Sequence, residues 1–356
     1  MKDLKGTASA FFTTFLLLTL LSTVGKSSAQ DHTSETKANN DGEHLKIVQL
    51  APMNETRSLF GAAKGKDGKI YVFGGAYDPQ ANSVAFRSTV ECYDPNSKKW
   101  SYRHSMPGPK AWHRAATALD GKVYLFGGST DSMPSKDVWA YDPVTDSWDT
   151  SLPQMLVEER DTVAITARDG IIYLFGGYWN YNTVQAFNPS TNTWQIKSPM
   201  PTGRWAADGA LGPDGKIYIV GGGFPGEPDY GVYNTLEVYD PATDTWESKS
   251  PMPTARNYLG AAFGRDGLLY AIGGEVYGAG RTGITYDVIE SYAPNSNSWK
   301  TAGLLAEKLT SLSGATVSDT LSNIHILGGG ILAGPMWISS QTQHNFIKVN
   351  HRKKTQ

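Results

Sequence analysis

Three arginines recur at one position of a pattern that the chain repeats. Arg57, Arg204 and Arg256 each lie seventeen residues before a pair of glycines. Other arginines and aromatic residues lie at or next to this position in one copy or another, namely Trp112, Arg114, Arg160, Trp205 and Tyr258. Arginine presents a fixed fork of donors to carboxylates, and its flat cation also stacks on aromatic rings. The combination predicts a binding site for carboxylates, sugars or acidic peptides.

The segments after the glycine pairs supply further candidates. Trp179, Tyr277 and Arg281 lie in these segments and complete the predicted ligand-binding set. Glu275 directly follows its glycine pair, a place where the other copies carry no acid. Glu275 and His113 are the candidate acid/base residues, because a carboxylate or an imidazole at a binding site can move a proton.

Each candidate also has a structural interpretation. An arginine at the start of an inner strand often pairs with a carboxylate of the next repeat, and Trp112 and Trp205 recur at corresponding places where they would plug a channel. No set of nucleophile, base and orienting group follows from the spacing. Binding and structural roles therefore both stay open.

The elements that must position these residues follow from the repeat. Six short apolar strands end in paired glycines, and the second glycines are Gly75, Gly128, Gly177, Gly222, Gly274 and Gly329. The period of about 45 to 55 residues is that of a four-stranded propeller blade. Side-chain-free residues at these points permit positive φ and close approach of neighbouring backbones.

A second signature accompanies the glycine pairs. In five copies an aromatic residue is followed seven positions later by a tryptophan, as in Tyr93 and Trp100. With both features in register, the chain resembles the kelch family over roughly residues 57–350. The resemblance implies a β-propeller of four-stranded blades but no single activity. The family includes peptide-binding adaptors, actin binders, carbohydrate-active oxidases and a sialic acid isomerase.

The sixth copy departs from the pattern because no tryptophan strand follows it. Residues 45–53 resemble the stretch 194–200, with Ile47 in the place of the tryptophan. The sequence therefore predicts an all-β, six-bladed kelch β-propeller, closed by an N-terminal strand that completes the last blade and leaves no free edge. A five-bladed ring with a stray tail is the alternative.

The first 29 residues predict a secretory signal peptide. Lys2 and Lys5 precede an apolar run, and small residues precede the expected cleavage site. A polar linker (30–43), the propeller (44–350) and a basic tail (351–356) follow. The mature chain is expected to be secreted or periplasmic and to lack a membrane span; an uncleaved anchor is the alternative.

Composition narrows the partners. The net charge of -2 and the lack of a basic cluster before the tail argue against nucleic acid as a partner. The single cysteine, Cys92, excludes an intrachain disulfide. A copper oxidase would need paired histidines, which here are scattered. No metal or other cofactor is therefore expected.

Topology predicts where function lies. Segments before the inner strands and segments after the glycine pairs emerge on one face, and their unequal lengths make it the expected binding surface. We expect a secreted module that binds a glycan, acidic small molecule or peptide at this channel mouth. One alternative is a cofactor-free isomerase, lyase or mutarotase acting there. Another is a structural or adhesion protein that uses the outer blade faces.

Overall fold

The computed structural model describes residues 45–77, 84–130, 133–224, 231–277, 283–332 and 338–349. The predicted signal peptide, the linker and the basic tail lie outside the described residues, as does Arg281. Within the described part of the chain, no helix is long and apolar enough to cross a membrane.

Six antiparallel sheets of four strands each dominate the fold. From the centre outward, the first strands are Gly61–Lys64, Arg114–Thr117, Val163–Thr166, Asp208–Leu211, Gly260–Phe263 and Thr316–Ser318. The second strands are Ile70–Phe73, Val123–Phe126, Ile172–Phe175, Ile217–Val220, Leu269–Ile272 and Ile324–Leu327. The third strands are Val90–Asp94, Val138–Asp142, Val184–Asn188, Leu236–Asp240, Val288–Ala293 and His344–Val349. The outer strands are Lys99–Arg103, Ser147–Asp149, Thr193–Lys197, Thr245–Lys249, Ser298–Leu304 and Leu45–Gln49.

These sheets are blades 1 to 6 of a closed ring, numbered by their first strands. Each first strand contacts the first strands of both neighbouring blades, including blade 6 with blade 1. Six apolar clusters fill the gaps between adjacent blades. The all-β, six-bladed β-propeller predicted from the sequence is confirmed.

Ring closure also follows the prediction. Leu45–Gln49 pairs antiparallel with His344–Val349, and Leu45 lies opposite Val349. Blade 6 thereby takes its outer strand from the beginning of the chain and the rest from its end. Because the strand covers the edge of blade 6, the ring needs no covalent link to close.

The repeated residues explain the blade geometry. All twelve glycines of the six pairs have positive φ, between 51° and 137°. At Gly75 an added Cβ would lie 2.7 Å from the carbonyl oxygen of Ser58, so a side chain does not fit. The five tryptophans are partly buried between blades, and each donates its indole N–H to a carbonyl that follows the outer strand of the preceding blade, as Trp148 does to His104.

Short two-stranded hairpins lie on one face of the ring, called here the mouth face. The hairpins there pair Ala76–Tyr77 with Ala85–Phe86, Gly223–Phe224 with Gly231–Val232, Glu275–Tyr277 with Gly283–Thr285, and Gly330–Leu332 with Ile338–Ser340. Single backbone bridges such as Ser58 to Ala76 and Trp205 to Gly223 tie the segment before a first strand to the segment after a glycine pair. A 3-10 helix, Pro294–Ser296, turns the chain between the last two strands of blade 5.

Candidate functional site

The three repeated arginines are fully buried and paired with acids of their own blades. Arg57 contacts Glu91 at 2.7 Å, Arg204 contacts Glu237 at 2.9 Å and Arg256 contacts Glu290 at 2.7 Å. All three arginines also donate to carbonyls of the second strand or its glycine pair. Each acid lies near the start of a third strand, so the ion pair fixes the segment that leads into the blade.

The other three blades carry different residues at this position. Blade 2 has Lys110, which pairs with Asp137 at 2.7 Å and lies over the ring of Trp139. Blade 3 has Glu159, and blade 6 has Leu309, whose carbonyl accepts from the second glycine of the pair in blade 5. Ser311, not Leu309, lies seventeen residues before the sixth glycine pair. The reason is that the turn before the first strand of blade 6, Thr316–Ser318, is two residues longer than in the other blades.

A ring of left-handed backbone surrounds the channel mouth. The residue two positions further along each blade has φ between 49° and 57°, and these residues are Leu59, Trp112, Asp161, Ala206, Tyr258 and Ser311. Main-chain hydrogen bonds link neighbours in the ring, as from Trp112 N to the Leu59 carbonyl and from Asp161 N to the Trp112 carbonyl. This conformation is costly for residues with a Cβ. Its repetition in all six blades shows that the propeller itself imposes it.

Aromatic rings and one cation form an arc across the mouth, called here the mouth arc. Its members, in order of contact, are Phe86, Trp112, Arg160, Tyr178, Trp205 and Tyr258. The Arg160 guanidinium lies 5.1 Å from the ring centre of Trp112 and 4.2 Å from that of Tyr178. The structure thus brings together Trp112, Arg160, Trp205 and Tyr258 of the predicted ligand-binding set.

A buried polar network lies beneath this arc. Arg114 crosses the channel from blade 2, donates to the Ser313 hydroxyl of blade 6 at 2.9 Å and lies 3.4 Å from the Asp161 carboxylate of blade 3. Asp208 of blade 4 accepts from the backbone of Ala261. Burial raises the pKa of Asp161 to about 6 and that of Asp208 to about 7, although the Arg114 charge opposes both increases. Arg114 therefore holds blades together and is almost wholly shielded from solvent.

The two acid/base candidates lie in the wall of the channel. His113 is fully buried, and its Nε2 accepts from Gly61 N. Burial, with the charges of Lys110 and Arg114, lowers the pKa of His113 to about 3, so this imidazole is neutral at ordinary pH. Glu275 is also fully buried, in a segment bridged to Asn257. For Tyr277 only the backbone is described.

A groove lies on the mouth face between blades 3 and 4. It has a volume of about 430 Å³ and is lined by Tyr181, Asn182, Pro201, Thr202, Gly203, Phe224 and Tyr233. The ring centres of Tyr181 and Phe224 are 4.6 Å apart. Trp179, two residues before Tyr181, is 46% exposed. Since none of the described residues that line this groove has a charged side chain, this lining suits an uncharged, apolar or aromatic ligand.

Several residues that shape this face are not among the predicted site residues. The three acids that pair with the arginines were detectable, because Glu91, Glu237 and Glu290 interrupt apolar strands in the same three copies that carry the arginine. Asp208 begins an otherwise apolar inner strand and carries a similar signal. In the described part of the chain, no group of three or more His, Cys, Asp or Glu side chains is placed to hold a metal ion.

Comparison with known proteins places this architecture among kelch repeats. Residues 43–222 match the KLHDC2/KLHL20/DRC7 Kelch-repeats domain, and residues 209–253 match the Kelch motif. Kelch-like protein 23 of Homo sapiens is 28% identical over 249 residues, which are 68% of this chain and 41% of that protein. Beta-scruin of Limulus polyphemus is 30% identical over 222 residues, 56% of this chain and 22% of that protein.

The solved structure described as "Structure of YjhT" shares the fold. Its TM-score is 0.68 at 17% identity, and the match covers 83% of this chain and 95% of that one. At this identity the likeness concerns the fold alone. The chain spans less than half the length of the curated relatives it matches.

Proposed function

Because this chain belongs to the kelch-repeat family, we propose that it is a protein-binding module that receives an extended, uncharged segment of a partner in the groove between blades 3 and 4. The observation that carries the proposal is the Tyr181 and Phe224 ring pair, which flanks a groove whose described lining residues are all uncharged. Exposed Trp179 extends the same aromatic surface. Aromatic-lined grooves commonly receive proline-containing or aromatic segments, since rigid rings bury much area at low entropic cost.

The three repeated arginines contribute less to this proposal than the sequence predicts. Arg57, Arg204 and Arg256 are occupied by carboxylates of the chain itself, so their charges are already neutralised where they lie. An acidic ligand would have to displace a buried ion pair, which is costly. The uncharged side chains among the described lining residues of the groove therefore favour a neutral segment over an acidic one.

The geometry supports binding over catalysis. An acid or base that acts on a ligand must come within hydrogen-bond reach of it. Glu275 and His113 are both fully buried. We further propose that the chain is exported, on the strength of its first 29 residues.

Selection from a displayed random-peptide library tests the binding role. We expect enriched peptides with proline or aromatic residues and without a run of charges. Phe224→Ala or Tyr181→Ala should weaken a selected peptide about 10-fold or more, as expected for an aromatic anchor. Ile196→Ala is the matched control, because Ile196 is 56% exposed on an outer strand and should have no effect.

A glycan array run in parallel separates the ligand classes. Enriched peptides that bind Phe224→Ala as well as the unaltered chain would place their site elsewhere and contradict the proposal. Glycan binding that depends on Phe224, with no peptide enriched, would replace the protein partner by a carbohydrate.

A further inference from the structure

Glu159 replaces the arginine of blade 3 and turns toward the mouth face. Its Oε1 accepts from Asn180 N at 2.7 Å, and its Oε2 accepts from Trp179 N at 3.3 Å. The blade has no acid at the position of Glu91; Gln185 stands there and exchanges hydrogen bonds with the backbone of Val157. The Glu159 carboxylate thus binds the segment that follows the glycine pair, called here the blade 3 loop (residues 178–182).

The fit of Glu159 under this loop is close. An added Cβ at Gly177 would collide with the Glu159 carboxylate, so the glycine leaves the room that the acid fills. Tyr178 N donates to the carbonyl of Arg160, and the Tyr181 carbonyl accepts from Arg204 N. Since Tyr181 and Asn182 line the groove, the carboxylate supports one of its walls.

The surroundings of this carboxylate favour its protonated form. Burial raises the pKa of Glu159 to about 7, opposed by the donors from Trp179 and Asn180, and the nearby Glu158 adds to the increase. Glu158 itself pairs with Lys136 of blade 2 at 3.4 Å. Further ionisable residues in this region are Arg160 and Tyr178, which contact each other in the mouth arc, and Tyr181 of the blade 3 loop.

We propose that Glu159 is a positioning residue whose ionisation state sets the geometry of the blade 3 loop and so regulates the groove. The inference rests on the proposed binding function. When the carboxylate is ionised, both of its oxygens accept from loop N–H groups. When it takes up a proton, one oxygen becomes a hydroxyl, which serves one of these N–H groups poorly. The loop then loosens and the groove loses order as the pH falls below neutrality.

Selective labelling reads the loop without any ligand. The full chain has ten tryptophans, and ¹⁵N-tryptophan labelling reports the backbone amide of each. The Trp179 amide, which donates directly to Glu159, is identified by its absence in Trp179→Phe. We expect its proton resonance to titrate with a midpoint near pH 7, well above that of an ordinary glutamate.

Two variants make the assignment specific. In Glu159→Gln the Trp179 amide should no longer titrate between pH 5 and 8. In Glu158→Gln it should still titrate, because Trp179 N donates to Glu159, but with a slightly lower midpoint, because the Glu158 charge adds to the increase in the pKa of Glu159. A midpoint near 4.5 in the unaltered chain, or a titration that survives in Glu159→Gln, overturns the inference. If Glu159→Gln does not fold, the midpoint in the unaltered chain decides alone.

Failure of this inference is distinguishable from failure of the binding proposal. The amide titration involves no partner, whereas the peptide selection involves no change of pH. A titrating loop with no peptide enriched would leave Glu159 as a loop anchor and remove the groove as a recognition site.

Discussion

At one position of the repeat, blades 1, 4 and 5 carry an arginine, whereas blade 3 carries an acid. In the first group an arginine at the start of the blade pairs with a glutamate of the third strand, and both are buried. In blade 3 the equivalent residue is Glu159, and it supports a loop that carries exposed aromatic rings. The comparison separates residues that hold the ring from residues that shape its surface, although all occupy one position of the repeat.

The difference shows how a repeat can be used to infer function. When a residue type recurs together with its partner in several blades, the pair has a structural role in those blades. A blade that changes both members of the pair, as blade 3 does with Glu159 and Gln185, has been released from that role. The departure from the repeat is therefore more informative about function than the repeat itself.

The largest expected effect tests the structural side of the comparison. Arg256→Met would leave Glu290 buried without its cation, which costs about 3–5 kcal/mol. Adding Glu290→Leu should recover most of this loss, because two apolar residues need no partner. Equilibrium unfolding in urea measures both variants. A loss of under about 1 kcal/mol in the single variant would mean that the pair does not hold the blade.

A smaller effect is expected where blade 3 accommodates its acid. Gly177→Ala should destabilise the fold by about 1–3 kcal/mol more than Gly267→Ala, through overpacking against Glu159. Both glycines have positive φ, but no atom lies within 4 Å of an added Cβ at Gly267. Combining Gly177→Ala with Glu159→Ala should recover part of the difference in thermal unfolding. Equal costs for the two glycine variants would contradict the close fit.

The buried network under the mouth gives a pH-dependent effect. Burial raises the pKa of Asp208 to about 7, so its contribution to stability is present below its ordinary pKa and is lost as the pH rises through about 7. Between pH 5 and 7 this loss is on the order of 1–2 kcal/mol. Asp208→Asn should remove that part of the pH dependence in urea unfolding curves. An unchanged pH profile would show that Asp208 is ionised throughout.

The smallest effect is expected at the rim. Lys136 and Glu158 form an ion pair in which the side chains are 38% and 41% exposed. Replacing Lys136 with alanine should change the free energy of unfolding by less than about 1 kcal/mol, because solvent screens such pairs. A change as large as that in Arg256→Met would remove the distinction between buried and exposed charges on which the comparison depends.

Much of the architecture could be predicted because it depends on local rules. Glycine pairs at positive φ, tryptophans seven residues after an aromatic and an N-terminal segment similar to an outer strand gave six blades and their closure. The roles of the arginines were left open because their partners lie about 34 residues away, and only the fold shows that they meet. The function of Glu159 depends on a loop conformation that spacing does not determine.

The pairing of Leu45–Gln49 with His344–Val349 has a consequence for biosynthesis. Leu45–Gln49 emerges from the ribosome about 300 residues before its partner strand, so blade 6 cannot assemble until His344–Val349 has been translated. Until then Leu45–Gln49 lacks this partner, and joining the two strands requires closing a loop of about 300 residues. A nonsense mutation at codon 344, which removes His344–Val349 and everything after it, would therefore leave Leu45–Gln49 and the remaining strands of blade 6 without a partner, and would expose them to aggregation.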